Sequence, residues 1–190
     1  MVLISKLSLT LLLALAITIP PLSQSKELKE TYMSFYVNDY SAGPNSTVAA
    51  IAGIPGKQWT VTQFGTIYIT DDPIMDNPDP NSAPIGRSLG TYVTSALDGL
   101  ILHVSISVVF TAKEYMGSTL ELQGAYKHFE RRSEISVVSG TGQFRFARGY
   151  ATFETYSWDP NTAHAIFLWN FTVLHYHSSN TNNMCGDHWV

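Results

Sequence analysis

The feature that most constrains the fold of this chain is a series of eight short segments rich in β-branched and aromatic residues. Turn residues separate these segments, and almost none of the sequence carries the 3.6-residue apolar period of an amphipathic helix. This regular spacing predicts an all-β barrel or sandwich. The segments are residues 32–37, 61–70, 90–95, 100–111, 119–124, 135–138, 144–155 and 165–176.

Alternation within the segments predicts which side chains are buried. From 102 to 110 the apolar residues hold the even positions and polar residues hold most odd ones, as in a half-buried antiparallel strand. From 165 to 176 both faces are fairly apolar, and one of them carries Phe167, Trp169 and Phe171. This second pattern fits a barrel wall with one face on the lumen and the other against a neighbouring subunit.

The first segment ends in a carboxyl group. Phe35, Val37 and Asp39 share one face of an extended strand, which suggests an apolar pocket with an acid at its mouth. Desolvation there would raise the pKa of Asp39 and favour its protonated form. The alternative is an aspartate that caps the backbone of a turn at residues 41–45, and spacing alone favours this alternative.

The two ends of the chain lie outside the predicted domain. Residues 1–25 have an early lysine, an apolar run and small residues before a cleavage point, which is the layout of a secretory signal peptide. The apolar run is too short for a transmembrane anchor. The sequence therefore predicts one domain over residues 26–177 and a polar, disordered tail over 178–190.

Charge and cysteine usage exclude several classes of protein. The net charge of −4 and the lack of a basic stripe remove the electrostatic attraction that nucleic-acid binding requires. The single cysteine, Cys185, cannot form an internal disulfide, so the core and oligomer contacts must hold the fold. Cys185 could pair between chains, although an unpaired thiol is the favoured interpretation.

Two groups of residues could suggest a metal site, and neither is favoured. Asp71 and Asp72 would face opposite sides of a strand, and the proline that follows them favours a turn. His175 and His177 share a strand face and could join His188, but nothing else completes a ligand set. We therefore expect no metal ion.

Two sequons for N-glycosylation are present, at residues 45–47 and 170–172. In an exported protein they make Asn45 and Asn170 candidate glycan sites. Asn170 alternates with Trp169, so a glycan on Asn170 would not enter a lumen lined by that indole.

Several stretches, in the same order along nearly all of residues 32–176, resemble the plant dirigent family. They are FYVND at 35–39, GPN at 43–45, FG at 64–65, DDPI at 71–74, IGRSLGTY at 85–92, VFT at 109–111, GSTL at 117–120, VVSGTGQFRFARGYA at 137–151 and VLHY at 173–176.

The resemblance implies an eight-stranded antiparallel β-barrel, calycin-like or allene-oxide-cyclase-like, in a protein secreted to the apoplast as a homotrimer or homodimer. It implies no cofactor, no nucleic acid, and no membrane after signal cleavage. Dirigent proteins bind phenoxy radicals or quinone methides that a separate laccase or peroxidase generates, and they enforce one face of coupling or cyclisation in lignan and phenylpropanoid biosynthesis. Some relatives close an isoflavanol ring with loss of water, forming a pterocarpan.

The resemblance also implies the site residues. The first-strand aspartate of the family matches Asp39 and its pocket tyrosine matches Tyr92, which makes these two the catalytic candidates. Tyr126 stands where the family has a pocket Asp or Asn. Arg132 lies one residue before the place of the usual arginine, now Ser133, and an offset of one residue reverses the facing of a strand. The substrate-binding candidates are Phe35, Tyr126, Arg132, Phe167, Trp169 and Phe171.

Three functions remain open on the sequence alone. The first is a stereo-directing protein without oxidase activity of its own, in which Asp39 is an acid and Tyr92 positions a phenol or quinone-methide oxygen. The second is a hydro-lyase or cyclase that uses Asp39 to protonate a leaving hydroxyl. The third is a non-catalytic defence protein that sequesters a phenolic compound.

Overall fold

The computed structural model describes residues 27–176, which form a single antiparallel sheet of nine strands and two short 3-10 helices, Lys113–Tyr115 and Gly142–Phe144. The strands are β1 (Leu28–Tyr40), β2 (Val48–Ala52), β3 (Ile67–Met75), β4 (Gly86–Thr94), β5 (Ile101–Phe110), β6 (Thr119–Lys127), β7 (Arg132–Thr141), β8 (Arg148–Asp159) and β9 (His164–Tyr176).

The first and third strands close the sheet into a barrel. Each strand from β3 to β9 pairs with the next, β9 pairs with β1, and β1 returns to β3 through Tyr36–Met75 and Val37–Ile74. Eight strands thereby form a closed ring without free edges. The remaining strand, β2, pairs only with the first half of β3. The predicted eight-stranded antiparallel barrel is confirmed.

The sequence pattern missed β2 and misplaced β3. We expected a turn at Asp71 and Asp72, but both residues lie within β3. Pro73 is tolerated there because it lies where the partner of β3 changes from β2 to β1, so its missing N–H leaves no gap in either ladder. The turn prediction for this segment was therefore wrong.

Alternate residues of each strand point into the barrel, as predicted. In β5 the even-numbered residues Leu102, Val104, Val108 and Phe110 are buried, whereas His103 is exposed. In β9 the odd-numbered residues are the inward ones, so the face that carries Trp169 and Phe171 lines the interior.

One end of the barrel is filled by aromatic rings. Phe110, Tyr115 and Phe144 form an aromatic plug, with ring centroids 5.0 to 5.8 Å apart. Phe144 comes from the second 3-10 helix and is fully buried, and Phe35 reaches the plug from β1 with its centroid 5.4 Å from that of Phe110. The plug therefore fills this end of the barrel with packed rings.

The predicted signal peptide and tail, together with Cys185, His177 and His188, lie outside the described residues. Within residues 27–176 no helix is long and apolar enough to cross a membrane.

Candidate functional site

The end of the barrel opposite the plug is open. Inward-facing residues near the strand ends remain only half-buried there, although alternation aims them at the interior: Asp39, Tyr68, Tyr92, Tyr126 and Phe167. Since they face inward, their remaining exposure comes from solvent that enters through the open end. We call the space they surround, together with the buried Asp72, the lumen.

Two glycines lie at inward positions of β4 and β6, and Gly124 leaves space beside it. Gly90 pairs with Ile106, and Gly124 pairs with Val104, on the inner face of β4 to β6. Both glycines have φ above +150°, in the region that favours glycine. A methyl group at Gly124 would find only the Ile135 side chain, at 3.7 Å, and one backbone nitrogen, at 4.0 Å, within 4 Å. Ile106 keeps partial exposure although it points inward, so the lumen extends down to its level.

Aromatic rings line two sides of the lumen. Tyr68 and Tyr92 are stacked, with centroids 4.9 Å apart and planes 11° apart. On the other side Phe153 packs edge-on against Trp169 with centroids 4.4 Å apart, and Tyr126 contacts the same Phe153 at 6.0 Å. Flat, rigid walls of this kind suit a planar aromatic guest.

The four apolar candidates divide between the lumen and the packed end. Phe167 is half-buried and Trp169 has 7% of its surface exposed, and both lie on the lumen side. Phe35 and Phe171 pack against each other at 5.8 Å between centroids, and Phe35 also contacts the plug. The last two therefore form the floor beneath the lumen.

Asp39 lies on the inner face at the end of β1, opposite Ala165. Burial raises the pKa of this carboxyl above its usual range, while a hydrogen bond that Ser41 Oγ donates at 2.6 Å and the nearby His164 lower the pKa in part. The backbone N–H of Ser41 donates to Ala163 O rather than to Asp39. Asp39 shares the inward face of β1 with Val37, and its carboxyl bonds the side-chain hydroxyl of Ser41 instead of capping the backbone of the turn.

Tyr92 faces the lumen, where the charges of both carboxyl groups act on its phenol. Burial raises its pKa well above the ordinary value, and the charges of Asp39, Tyr68 and Asp72 add to the effect. Tyr92 therefore remains a neutral phenol that can donate a hydrogen bond.

Asp72 is a functional candidate that the sequence analysis missed. Only 6% of its surface is exposed. Thr47 Oγ1 donates to its Oδ1 at 2.5 Å, and Thr70 Oγ1 donates to its Oδ2 at 2.6 Å. Burial, followed by the charge of Asp39, raises the pKa of Asp72 to about 7 against the two hydrogen bonds that lower it. The period of two along a strand is the signal that could have found Asp72, since it lies two residues after Thr70 and therefore on the same face.

Asp71, the neighbour of Asp72, faces the outside. Its carboxylate accepts a hydrogen bond from Arg87 Nε at 2.8 Å and forms an ion pair with the same guanidinium. The two adjacent aspartates therefore have opposite surroundings, one in solvent and one in the lumen.

Tyr126 joins the lumen, whereas Arg132 does not. Burial raises the pKa of Tyr126, and the charge of Asp39 raises it further. The phenol of Tyr126 therefore interacts electrostatically with that carboxyl. Arg132 is exposed on the outer face of β7 and donates to Thr152 Oγ1 at 3.2 Å. The one-residue offset puts Ser133 on the inner side instead, where it is buried and accepts a hydrogen bond from the backbone of Lys127.

Both sequon asparagines lie outside the lumen. Asn45 is exposed in the loop between β1 and β2. Asn170 is half-buried on the outer face of β9, where its Oδ1 accepts a hydrogen bond from Ser34 Oγ at 2.7 Å. Among residues 27–176 no group of three or more His, Cys, Asp or Glu side chains is placed to hold a metal ion.

Comparison with known proteins adds the following likenesses. The family of dirigent-like proteins matches residues 30–174. Dirigent protein 1 of Arabidopsis thaliana is 34% identical over 177 residues, which cover 90% of this chain and 97% of the relative. Pterocarpan synthase 1 of Glycyrrhiza echinata is 34% identical over 80% of this chain and 81% of its own. The solved structure of the pterocarpan synthase dirigent protein GePTS1 superposes with a TM-score of 0.74 at 33% identity, covering 84% of this chain and 92% of that one.

Proposed function

Because this chain belongs to the dirigent-like protein family, we propose that it directs the stereochemistry of a reactive phenolic intermediate bound in the lumen. The intermediate is a phenoxy radical or a quinone methide of phenylpropanoid metabolism, with lignan formation as one outcome. A separate laccase or peroxidase generates it, and this chain supplies no oxidising group.

Orientation is the contribution that such a reaction needs. Free phenoxy radicals couple readily without help, so the protein must favour one approach over its mirror image rather than accelerate the coupling. A difference of about 1.4 kcal/mol between two competing approaches gives tenfold selectivity. Rigid aromatic walls on both sides of the lumen favour a single pose of a planar guest.

The observation that carries the proposal is the inward position of Asp39, whose charge acts on the phenol of Tyr92, in a lumen with aromatic walls. Burial favours the protonated carboxyl, which can donate a hydrogen bond to a quinone-methide oxygen and make its benzylic carbon more electrophilic. Tyr92 donates a second hydrogen bond that fixes the same oxygen.

The second candidate function is a hydro-lyase that closes an isoflavanol ring. The likeness to two pterocarpan synthases and the same Asp39 favour it. The proton of Asp39 passes to the leaving hydroxyl, the C–O bond breaks and water departs, and a conjugated phenol of the substrate loses its proton, which gives a quinone methide. A second phenolic hydroxyl of the substrate then adds to the electrophilic carbon and loses its proton, so that of the two protons released one returns to the quinone-methide oxygen and the other to Asp39.

Secretion to the apoplast and assembly as a homotrimer form part of the proposal. The outer face of β1, β8 and β9 exposes Tyr32, Tyr150 and Leu174, and contiguous apolar surface of this kind is typical of subunit interfaces. Asn170 lies on the same face, so a glycan there would compete with a neighbouring subunit, whereas Asn45 is free of that conflict. Light scattering and glycopeptide mass spectrometry of the protein secreted from plant cells test both points.

The test of function uses coniferyl alcohol with a one-electron oxidant and chiral chromatography of the products. We expect an enantiomeric excess with the wild type and with Asp71→Asn, and its loss with Asp39→Asn. Asp71→Asn is the matched control because it makes the same substitution at a carboxyl that faces the outside of the barrel. A racemic product from the wild type would exclude coupling of this substrate.

A second arm supplies an isoflavanol without oxidant. Turnover that Asp39→Asn abolishes would favour the hydro-lyase over the coupling protein. Tight binding of phenols without either chemistry would instead leave a non-catalytic defence protein that sequesters phenolic compounds.

A further inference from the structure

A row of polar residues crosses three neighbouring strands on the inner face of the barrel. Asp72 of β3 pairs with Ser88 of β4, and continuing the register of β1 with β3 by two residues brings Asp39 opposite Asp72. Residues directly opposite each other on antiparallel strands share a face, so all three point inward. Exposure decreases along the row, from the half-buried Asp39 to 6% at Asp72 and 1% at Ser88. Ser88 is therefore the deep end of the row.

The hydroxyl of Ser88 is buried without a hydrogen-bond partner. No group among residues 27–176 donates to its Oγ or accepts from it. Asp72, beside it, differs in this respect, because Thr47 and Thr70 each donate to one of its oxygens. An unpaired hydroxyl in an apolar interior costs folding free energy. The fold therefore does not use this hydroxyl for its own stability, and both its donor and its acceptor capacity are available to a guest.

The lumen leads down to Ser88 from the open end. Gly90 is the next inward residue of β4 toward that end, and it has no side chain that could cover Ser88. Gly90 and Ile106, which pairs with it, both keep partial exposure although they face inward. Solvent thus reaches the level directly above Ser88, and the end of a guest bound in the lumen can reach it too.

The spacing along β4 indicates the kind of guest that fits. Tyr92 and Ser88 face inward four residues apart, which is about 13 Å along a strand. The space between these two polar groups is bordered by the aromatic rings of Tyr68 and Tyr92 and by Trp169. A guest that spans it has an oxygen at each end and an apolar, planar middle, as does a phenol with a hydroxyl group at the end of a three-carbon side chain.

We propose that Ser88 and Asp72 form a second polar subsite of the lumen, which binds a side-chain hydroxyl group at the end of the guest farthest from the mouth. Ser88 Oγ donates to the guest oxygen, and the guest hydroxyl donates to an oxygen of Asp72, which keeps a lone pair beside the bond it accepts from a threonine. The inference rests on the proposed function, in which Asp39 and Tyr92 hold the phenol oxygen. It extends that function by assigning the direction in which the guest enters and the substituent that selects it.

The experiment compares two stable phenols by isothermal titration calorimetry: 4-(3-hydroxypropyl)phenol, and 4-propylphenol, which lacks the terminal hydroxyl. We expect the wild type to bind the first about three- to tenfold more tightly, whereas a purely apolar pocket would bind it more weakly. Ser88→Ala should abolish this gain and leave the affinity for 4-propylphenol unchanged. Ser105→Ala, the same substitution on the outer face of β5, should retain the gain.

A third ligand tests the contact with Asp72. In 4-(3-methoxypropyl)phenol the terminal oxygen still accepts from Ser88 but has no proton to donate. It should bind more weakly than the hydroxyl compound, although its methyl group adds apolar surface, and Ser88→Ala should weaken it further. Binding as tight as that of the hydroxyl compound would overturn the role of Asp72 in the subsite.

Denaturant unfolding separates binding from a structural role of Ser88. Because its hydroxyl has no partner, Ser88→Ala should leave the free energy of unfolding unchanged or raise it. A marked loss of stability would overturn the inference, since Ser88 would then be bonded within the fold. Equal affinity of the wild type for 4-propylphenol and its hydroxyl derivative, or equal losses for both in Ser88→Ala, would overturn the inference alone. Failure of the wild type to bind either phenol would overturn the proposed function together with it.

Discussion

The two ends of the barrel use the same strands for opposite purposes. At the packed end Phe110, Tyr115 and Phe144 fill the interior with ring contacts, and little polar surface remains there. At the open end the inward positions carry Asp39, Asp72 and several phenols instead. A barrel can keep polar groups inside one end only because the other end supplies the apolar burial that holds the strands together.

The largest test of this comparison removes the plug. Phe144→Ala deletes a fully buried ring and should lower the free energy of unfolding by about 3–5 kcal/mol. Phe167→Ala, a matched ring at the open end, is half-buried and should cost distinctly less. Denaturant unfolding of both variants measures the difference, and equal losses would mean that the open end is packed as tightly as the plug.

The next test concerns pH, which should affect only the open end. The folded pKa of Asp72 is raised to about 7 from 3.8, so the folded state binds more protons than the unfolded state between these values. The stability of the protein should therefore fall as pH rises from about 4 to about 7, by a few kcal/mol at most. In Asp72→Asn this part of the fall should disappear from the thermal unfolding profile, whereas Phe144→Ala should retain it.

A smaller effect is expected from filling the lumen. Ile106→Phe adds bulk at the half-exposed inward position between the two glycines, and it should weaken the binding of a stable phenol about tenfold. Ser105→Phe places the same ring on the outer face of β5 and serves as the control. Isothermal titration calorimetry gives both affinities, and equal binding in the two variants would locate the guest elsewhere.

The smallest effect belongs to the outer surface. The ion pair of Asp71 with Arg87 joins two side chains that are 42% and 57% exposed, so Arg87→Ala should change stability by less than about 1 kcal/mol. Added salt should abolish even that difference in denaturant unfolding. A larger loss would show that the outer face of β3 supports the lumen behind it.

The strands, their alternation and the barrel could be inferred from the sequence because burial on one face leaves a period of two. The β2 strand could not, since its alanines carry little of that pattern. The position of Asp39 after Phe35 and Val37 suggested an acid at the mouth of a pocket, although spacing alone favoured a turn cap; in the structure Asp39 is half-buried on the inner face at the end of β1. Asp72 was not identified as a lumen residue because an Asp-Asp-Pro run is typical of a turn. The run lies within a strand here because the partner of β3 changes at Pro73, which the sequence does not reveal.

Closure of the barrel has a consequence for where its interior first meets water. The first strand is paired with β9 along its whole length but meets β3 only at Tyr36–Met75 and Val37–Ile74. Both acidic residues lie just beyond one end of that short seam, since continuing its antiparallel register by two residues brings Asp39 opposite Asp72. Amide protons at the seam should exchange with deuterium sooner than those elsewhere in the ring, because few bonds must break to expose them. The pairing of β1 with β3 is therefore adjacent to Asp39 and Asp72. Local opening of this pairing would expose both carboxyls to water before the rest of the barrel unfolds.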